Sequence, residues 1–235
     1  MIDFHSHILP GMDDGANDIK ESLDMLESLY NQGITTVVAT PHYRSECAVS
    51  EFLEKRRICY DNLKSAMESS GKKYPSIILG AEVEVNGSLL EQDELHRLCI
   101  EGTNYILAEM PERFWEPFLY HIIFSLTAQH RIKVMIAHVD RYYTSFGSNE
   151  KVMKLIDMHP VFQISSAALM CKKGKKLLQR MYRMETEFVF GTDCHNMKSR
   201  KPLWAQPMKY IIKKYGVDFL DEINCFGEKL LKNNQ

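Results

Sequence analysis

The sequence lacks several features that would assign it to a specialised class of protein. In its 235 residues Lys and Arg total 29 and Asp and Glu total 31, and a net charge of −2 argues against a nucleic-acid-binding surface. No segment approaches the ~18 consecutive apolar residues that a membrane-spanning helix requires. The first residues, MIDFHSH, contain no basic segment followed by an apolar one. We therefore expect neither a signal peptide nor membrane insertion.

Cysteine is present, but not in a pattern that indicates disulfides or a structural zinc site. The six cysteines show neither CxxC spacing nor the density of a small secreted domain. We therefore expect reduced thiols, a cytoplasmic protein and chemistry without a cysteine nucleophile. A redox role for Cys194 is a weaker alternative, since this residue lies between two candidate metal ligands.

Short apolar segments alternate with longer amphipathic ones, which is typical of βα units around a parallel sheet. The predicted strands are Ile2–Phe4, Thr35–Ala39, Ile77–Ala81, Tyr105–Ala108, Val134–Ala137, Val161–Ile164 and Phe188–Phe190. The sequence contains no repeat or obvious linker, so we expect a single domain over residues 1–235. Seven such units predict the α/β class and a TIM-like (β/α)7 barrel, one unit short of the usual eight.

Three of the predicted helices have clear boundaries. Asn17 is the predicted cap of the first helix, and Gly33 ends it. A long second helix is predicted from Ser50 to Gly71. A third is predicted from about Trp115 to Gln129.

Histidine and carboxylate residues recur at the carboxyl ends of the predicted strands. The candidate metal ligands are His5, His7, Asp14, His42, Glu82, Glu109, His138, Asp193 and His195. In a parallel barrel these ends form one rim, on which the βα loops build the active site. One tetrahedral metal uses about four ligands. Nine candidates therefore predict two or three neighbouring ions, an arrangement typical of phosphate-ester or amide hydrolysis.

Two of the ligand segments leave alternatives open. His5 and His7 project from the same side of an extended chain and suit one ion. An isolated HxH pair is, however, equally compatible with two exposed histidines at a strand end. Asp13 and Asp14 are adjacent, and only one of them can readily face the same ion, so the other is free to cap the turn.

Glu82 interrupts an apolar segment, and burial of an unpaired carboxylate would be costly. A metal ion or strong hydrogen bonds should therefore compensate its charge. Glu84 lies two residues further on and points to the same face, so it is a rival ligand. The mixture of imidazole and carboxylate suits Mn²⁺, Fe²⁺, Co²⁺ or Zn²⁺, while the lack of a thiolate set disfavours structural zinc.

Two arginines follow candidate ligands at short range, Arg141 after His138 and Arg200 after His195. A single loop arginine usually forms a surface salt bridge, but two of them beside ligand segments favour phosphate binding, because guanidinium groups match phosphate oxygens. The aromatic pair Phe114 and Trp115 is ambiguous. It either packs in the core or forms an exposed surface for an aromatic substrate.

The combination of motifs resembles the polymerase-and-histidinol-phosphatase (PHP) superfamily. Within it, the chain is most similar to the bacterial CpsB/CapC-type manganese-dependent protein-tyrosine phosphatases. The motifs are HSHILPGMDDGA (5–16), SLDML (22–26), ATPHY (39–43), GAE (80–82), AEMP (108–111), IAHVDRY (136–142), a strand centred on Gln163, and GTDCHN with Arg200 (191–200). Asp14 is typical of this branch, because other PHP proteins usually carry histidine there. The decision for Asp14 over Asp13 as the ligand rests on this resemblance.

The resemblance implies a distorted TIM-like (β/α)7 barrel of the PHP type that holds three ions, with Mn²⁺ as the expected metal. His5, His7, Glu82 and Asp193 would hold the first ion. Glu82 would bridge to a second ion, which Glu109 and His138 complete. Asp14, His42 and His195 would hold the third. Arg141 and Arg200 would bind the phosphate.

The resemblance also implies a partner, the phosphotyrosine tail of a bacterial tyrosine autokinase that regulates capsule or exopolysaccharide synthesis. The corresponding hypothesis is in-line attack on the phosphate by a metal-bridging hydroxide. His42 or a metal-bound water is the candidate proton donor to the tyrosine. One alternative is a small-molecule phosphomonoesterase such as histidinol-phosphate phosphatase. Another is a non-catalytic regulator that binds the kinase tail.

Overall fold

The computed structural model describes residues 1–111, 115–145 and 149–232, in which short parallel strands alternate with helices. The strands are β1 (Ile2–Ser6), β2 (Thr36–Ala39), β3 (His42–Tyr43), β4 (Ser76–Leu79), β5 (Glu82–Glu84), β6 (Tyr105–Glu109), β7 (Lys133–Ile136), β8 (Val161–Ser165) and β9 (Phe188–Gly191). The α-helices are α1 (Ile19–Asn31), α2 (Val49–Ser70), α3 (Pro117–Ala128), α4 (Val139–Ser145), α5 (Asn149–Ile156), α6 (Lys172–Arg183), α7 (Ala205–Tyr215) and α8 (Val217–Lys232). In the described parts of the chain, no helix is both long enough and apolar enough to cross a bilayer.

The strands form two sheets in which the pairs are parallel. One has the order β1-β2-β4 and the other the order β3-β5-β6-β7-β8-β9. The chain after β9 also bonds to β1, because Asp193 N donates to His5 O (2.8 Å) and His7 N donates to Cys194 O (2.9 Å). The predicted α/β class with parallel strands is confirmed. Closure of all the strands into one barrel stays a prediction.

The sequence does not predict two short strands, β3 and β5. The predicted strand Thr35–Ala39 agrees with β2, and the chain forms β3 after Thr40 and Pro41. Strand β4 ends at Leu79, two residues before the predicted end at Ala81, and β5 begins at Glu82. Pro41 has no N–H to donate to a sheet, so it favours a break. The break transfers the chain from the first sheet to the second and pairs His42 with Glu82 in register.

The helix boundaries agree with the sequence except at their first residues. The predicted cap Asn17 is wrong, because Asp18 is the capping residue of α1 and its carboxylate accepts a bond from Glu21 N (2.8 Å). Asn17 instead donates to the Glu21 carboxylate through its backbone and side-chain nitrogens. Helix α2 begins at Val49, one residue before the predicted Ser50. The predicted end at Gly71 is confirmed, since its φ of +65° is the left-handed conformation that glycine favours.

Close packing between α8 and β1 fixes the strand that carries the first two histidines. A Cβ on Gly227 would lie 2.8 Å from Phe4 Cε2, so only glycine allows α8 to approach β1 this closely. Phe4 and Ile2 are buried beneath the helix. The position of His5 in β1 therefore depends on the packing of the helix at the other end of the chain.

The capping difference at α1 generates a stability prediction. Asp18→Ala should lower the free energy of unfolding by about 1 kcal/mol, because one helix N–H loses its acceptor. Urea unfolding monitored by circular dichroism measures the change. Asp24→Ala, an exposed site within the same helix, is the control and should be neutral or slightly stabilising, since alanine has the higher helix propensity. A larger loss for Asn17→Ala than for Asp18→Ala would contradict the assigned cap.

Candidate metal centre

The structure brings the nine predicted ligand residues together at the carboxyl ends of the strands. The Glu82 carboxylate lies at their centre, with imidazole nitrogens of four histidines within 3.3 Å. The distances are 3.0 Å to His5, 3.1 Å to His7, 3.3 Å to His42 and 2.8 Å to His138. Glu82, His5, His7 and His138 are buried. The register between strands therefore brings residues that are far apart in sequence together in one polar cluster.

The side-chain directions follow from the strand geometry. His5 and His7 lie on the same side of the extended chain, and their Nε2 atoms are 3.1 Å apart. Both histidines are buried, so the alternative interpretation of this HxH pair as two histidines exposed at a strand end is wrong. Asp193 Oδ1 lies 3.6 Å from His5 Nε2 and 3.7 Å from His7 Nε2. The three residues thus surround one small volume.

Three groups of residues in the described parts of the chain place possible ligand atoms within 4.8 Å of one another. They are His7, Asp14, His42 and His195; His5, His7 and Asp193; and His42, Glu82 and Glu109. His138 is outside these groups, but its Nε2 lies 3.3 Å from Glu109 Oε1, so it borders the third group. The resemblance assigns His7 and His42 to one ion each. In the structure, each of them belongs to two of the three groups.

The arrangement of His195 fits a bound cation. Its Nδ1 donates to the backbone oxygen of Asp193 (3.1 Å), which leaves Nε2 as the nitrogen with the lone pair. Nε2 is buried, lacks a hydrogen-bond donor among the described residues, and lies 3.5 Å from Asp14 Oδ1. Burial lowers the pKa of His195 to about 3, so the imidazole is neutral. A neutral imidazole beside a carboxylate is a suitable ligand pair for Mn²⁺, Fe²⁺, Co²⁺ or Zn²⁺.

The buried carboxylates also require compensating positive charge nearby. Burial by itself would lower the pKa of His7, but hydrogen bonds with Asp13 and Glu82 outweigh it and raise the pKa to about 10. His138 behaves similarly, since burial is outweighed by hydrogen bonds with Glu109 and Glu82 and its pKa rises to about 9. Protons on these rings balance the carboxylates. Bound cations would supply that charge and displace the protons.

Asp13 orients two of the histidines and does not enter any of the three groups. Its Oδ2 accepts from His7 Nδ1 (2.7 Å) and from His42 N (2.8 Å), and its Oδ1 accepts from Gly15 N (2.9 Å). The carboxylate therefore caps the turn and also fixes the His7 ring so that Nε2 faces the cluster. Asp14, whose side chain is 65 % exposed, contributes to the first group instead.

Gln163 in β8 connects two further histidines. Its Oε1 accepts from His5 Nδ1 (2.9 Å) and from the backbone N of His138 (2.6 Å). The first bond leaves His5 Nε2 free to face Glu82. Such outer hydrogen bonds fix the tautomer and orientation of metal-binding imidazoles. The sequence analysis gave Gln163 no role, although an amide within the apolar segment VFQIS was a usable signal.

Asp3 is a second positioning residue without a role in the sequence analysis. Its buried carboxylate accepts from the backbone N (2.8 Å) and the Oγ1 (2.6 Å) of Thr192. Burial raises the pKa of Asp3 to about 6, although hydrogen bonds with Thr192 oppose the rise. Since Thr192 precedes Asp193, this contact ties the β9 end to β1 and so positions Asp193 beside His5.

Two of the predicted ligands have strained backbones. The φ angles of His138 and Asp193 are +30° and +53°, in a region that non-glycine residues rarely adopt. Backbone hydrogen bonds hold both residues, from His138 N to Gln163 and from Asp193 N to His5 O. Strain of this kind costs of order 1–3 kcal/mol and is concentrated at functional sites. Here it directs both side chains inward.

The two predicted phosphate-binding arginines both contact Asp193, one of the predicted metal ligands. Arg141 Nη2 bonds to Asp193 Oδ2, and Arg200 Nη2 donates to Asp193 Oδ1 (2.7 Å). Arg200 Nη1 is also 3.9 Å from Asp14 Oδ2. Both guanidinium groups are partly exposed, so they lie at the solvent side of the cluster. They are placed within reach of a common anion.

Two other sequence candidates lie outside the ligand groups. Glu84 accepts a long bond from Asn86 Nδ2 (3.5 Å), and its position in register is opposite Glu109. Trp115 is half-buried, donates from Nε1 to Pro111 O (2.7 Å) and packs edge-on against Tyr142. It is a packing residue. Its predicted companion, Phe114, lies outside the described residues.

Cys194 is unsuited to act as a nucleophile. Cys194 and Arg200 do have the Cys–x5–Arg spacing of cysteine-dependent phosphatases. The thiol is fully buried, however, and burial raises its pKa far above the usual range. Reactive cysteines have lowered pKa values and partial exposure, so the redox alternative loses its support as well.

The sequence profile described as "Capsular polysaccharide synthesis, CpsB/CapC" matches residues 1–232. The chain belongs to the CpsB/CapC family. Tyrosine-protein phosphatase CpsB of Streptococcus agalactiae serotype III (strain NEM316) is 27% identical over 247 residues, covering 100% of this chain and 99% of the relative. Tyrosine-protein phosphatase YwqE of Bacillus subtilis (strain 168) is 29% identical over 238 residues, covering 99% of this chain and 92% of the relative.

A solved structure extends the comparison to the fold. It comes from a study of YwqE from Bacillus subtilis and CpsB from Streptococcus pneumoniae, described as unique metal-dependent tyrosine phosphatases. The TM-score is 0.84 at 27% identity, and the match covers 100% of this chain and 95% of the other. The resemblance on which the sequence analysis relied is therefore confirmed, and this chain has a CpsB/CapC fold.

The contacts of Gln163 generate a prediction for metal affinity in this CpsB/CapC chain. Gln163→Leu should weaken Mn²⁺ binding by about 10–100-fold, because His5 loses its orienting acceptor and the His138 N–H is left unpaired. Gln163→Glu keeps a carbonyl-type acceptor at the same place and should bind within severalfold of the wild type. Isothermal titration calorimetry measures both, with circular dichroism as the check on folding. Equal affinities for the leucine variant and the wild type would contradict the positioning role.

Proposed function

We propose that this chain is a metal-dependent protein-tyrosine phosphatase, a phosphomonoester hydrolase that acts on the tyrosine-rich tail of a bacterial tyrosine autokinase and so regulates capsule or exopolysaccharide synthesis. The observation that carries the proposal is the convergence of nine imidazole and carboxylate side chains beside two arginines. Membership of the CpsB/CapC family and the names of the relatives support it. The proposed location is the cytoplasm, and the proposed domain spans residues 1–235.

The proposed cofactors are two or three divalent ions, with Mn²⁺ preferred. The proposed ligands are His5, His7, Asp14, His42, Glu82, Glu109, His138, Asp193 and His195. Such ions lower the pKa of a bound water towards neutral and thereby supply hydroxide near pH 7. The unpartnered His195 Nε2 and the buried Glu82 carboxylate support this assignment, because both need a positive neighbour.

Arg141 and Arg200 are the proposed phosphate-binding residues. Both form ion pairs with Asp193. A cation held by Asp193 would compensate its charge and leave the two guanidinium groups for a second anion at the same place. Arginine binds phosphate oxygens through paired N–H donors and stabilises the charge that develops on them during transfer.

The proposed proton donor to the leaving tyrosine is a metal-bound water or His42, which could donate only from a ring nitrogen that does not coordinate an ion. His42 is 19 % exposed and so reaches the solvent side of the cluster, unlike the buried His5 and His7. The tyrosine hydroxyl has a pKa of about 10, so its departure needs less protonation than that of an alkyl alkoxide. An aryl ester is therefore the substrate class that this arrangement favours over alkyl phosphates such as histidinol phosphate.

The activity test compares phosphate release from a phosphotyrosine peptide and from histidinol phosphate, after removal of metal and readdition of Mn²⁺. The peptide should be hydrolysed only with Mn²⁺ and much faster than histidinol phosphate. Arg200→Ala should lower kcat/KM by about 100-fold, because one phosphate-stabilising group is lost. His138→Ala should abolish turnover without loss of the fold, which circular dichroism checks.

His130→Ala is the matched control, since this exposed histidine precedes β7 at the opposite end of the strand from His138. Its activity should equal that of the wild type. Phosphate release from histidinol phosphate but not from the peptide would indicate a phosphatase of small-molecule metabolism. Peptide binding without any release would indicate the non-catalytic regulator, and full activity of His138→Ala would contradict the proposed site.

A further inference from the structure

We propose that a groove beside the metal cluster binds the peptide segment adjacent to the phosphotyrosine, and that an apolar side chain of this segment packs against Met12, Phe52 and Ile58. The inference rests on the proposed phosphatase function and adds the surface that recognises the protein substrate. The groove, called here the α2 groove, lies between residues 12–14, residues 42–47 and the first half of α2. Its volume is about 920 Å³.

The α2 groove is continuous with the candidate metal centre. Asp14 and His42 belong to the first ligand group and also line the groove. They are the accessible members of that group, whereas His7 and His195 are buried. A phosphate that reaches the cluster from this side therefore leaves the rest of its peptide at the groove.

The size of the groove favours a peptide over a small ester. Pockets of about 300–1,000 Å³ accommodate ligands of drug size, so this volume lies at the upper end of that range. A single aryl phosphate would fill only part of it. The remaining space extends along α2, where Glu51 and Cys59 contribute to the lining, and Cys47 lines it from the segment before the helix.

The wall of the groove combines buried and exposed apolar surface. Met12 and Phe52 are buried, and Ile58 on α2 is 47 % exposed. Three residues one helical turn away, Glu54, Lys55 and Asp61, are charged, so Ile58 forms an apolar contact point on a largely polar face. An apolar side chain of the substrate would cover it and remove both surfaces from water.

The groove is preformed by contacts that fix both of its sides. Lys55 Nζ donates to Met12 O (2.8 Å) and joins α2 to the turn that carries Asp14. On the inner face of α2, Arg56 donates to Gly80 O (2.6 Å) and lies over the Phe52 ring, 5.7 Å from its centroid. A preformed surface loses little conformational entropy when it binds an extended peptide.

The charges along the groove restrict the occupant further. The groove is lined by more carboxylates than cations: the cations are Arg44 and Lys55, and the carboxylates are Asp13, Asp14, Glu46, Glu51 and Glu54. The carboxylates disfavour acidic residues next to the phosphotyrosine. The occupant that fits best is a tyrosine-phosphorylated peptide with apolar, non-acidic residues beside the tyrosine.

The test measures flank preference with two synthetic phosphotyrosine peptides, one with leucine and one with glycine on both sides of the tyrosine. The Mn²⁺-loaded wild type should favour the leucine peptide by about tenfold in KM. Ile58→Glu should reduce this ratio to about one. Ile212→Glu is the matched control, since Ile212 is a 41 % exposed isoleucine on α7, and it should keep the wild-type ratio.

Each other result overturns the inference. An unchanged ratio in Ile58→Glu would show that the α2 groove does not contact the flanking residues. Hydrolysis of both peptides by the wild type at equal KM would overturn the inference while leaving the phosphatase function intact. Failure of the wild type to release phosphate from either peptide would overturn the proposed function and the inference with it.

Discussion

The carboxylate of Glu82 is buried among four imidazoles, and its need for positive charge organises the surrounding structure. An isolated buried carboxylate is unfavourable by several kcal/mol or more, so it requires a cation or charged hydrogen-bond donors. His5, His7, His42 and His138 surround it within 3.3 Å. Protons on His7 and His138 provide part of that charge. Divalent ions would provide the same positive charge, and the side chains that already converge on Glu82 would be their ligands.

The fold produces this cluster through a few local departures from regular structure. The break around Pro41 moves the chain between sheets and sets His42 beside Glu82. Positive φ angles at His138 and Asp193 direct these side chains inward. Packing of α8 on β1 supports the strand that carries the two N-terminal histidines. The stability of the outer helices thus maintains the geometry of the polar centre.

The sequence predicts which candidate ligands come together, because they follow strand ends, and in parallel strands these ends meet at one edge. It does not predict residues whose partners are remote. Gln163 bonds to His5 across 158 positions, and Asp3 bonds to Thr192 across 189, so only the tertiary structure identifies their roles. The sequence alone also does not decide between two neighbouring residues that suit the same role. Asn17 and Asp18 are comparable caps, and the backbone of the turn decides between them.

The most direct test is an anomalous-scattering map of crystals equilibrated with Mn²⁺ at neutral pH. The account predicts two or three manganese peaks per chain, with at least one at coordination distance from Glu82 and the others beside Asp193 and His195. Crystals that hold no manganese near Glu82, with its carboxylate still paired to imidazoles alone, would contradict the central claim.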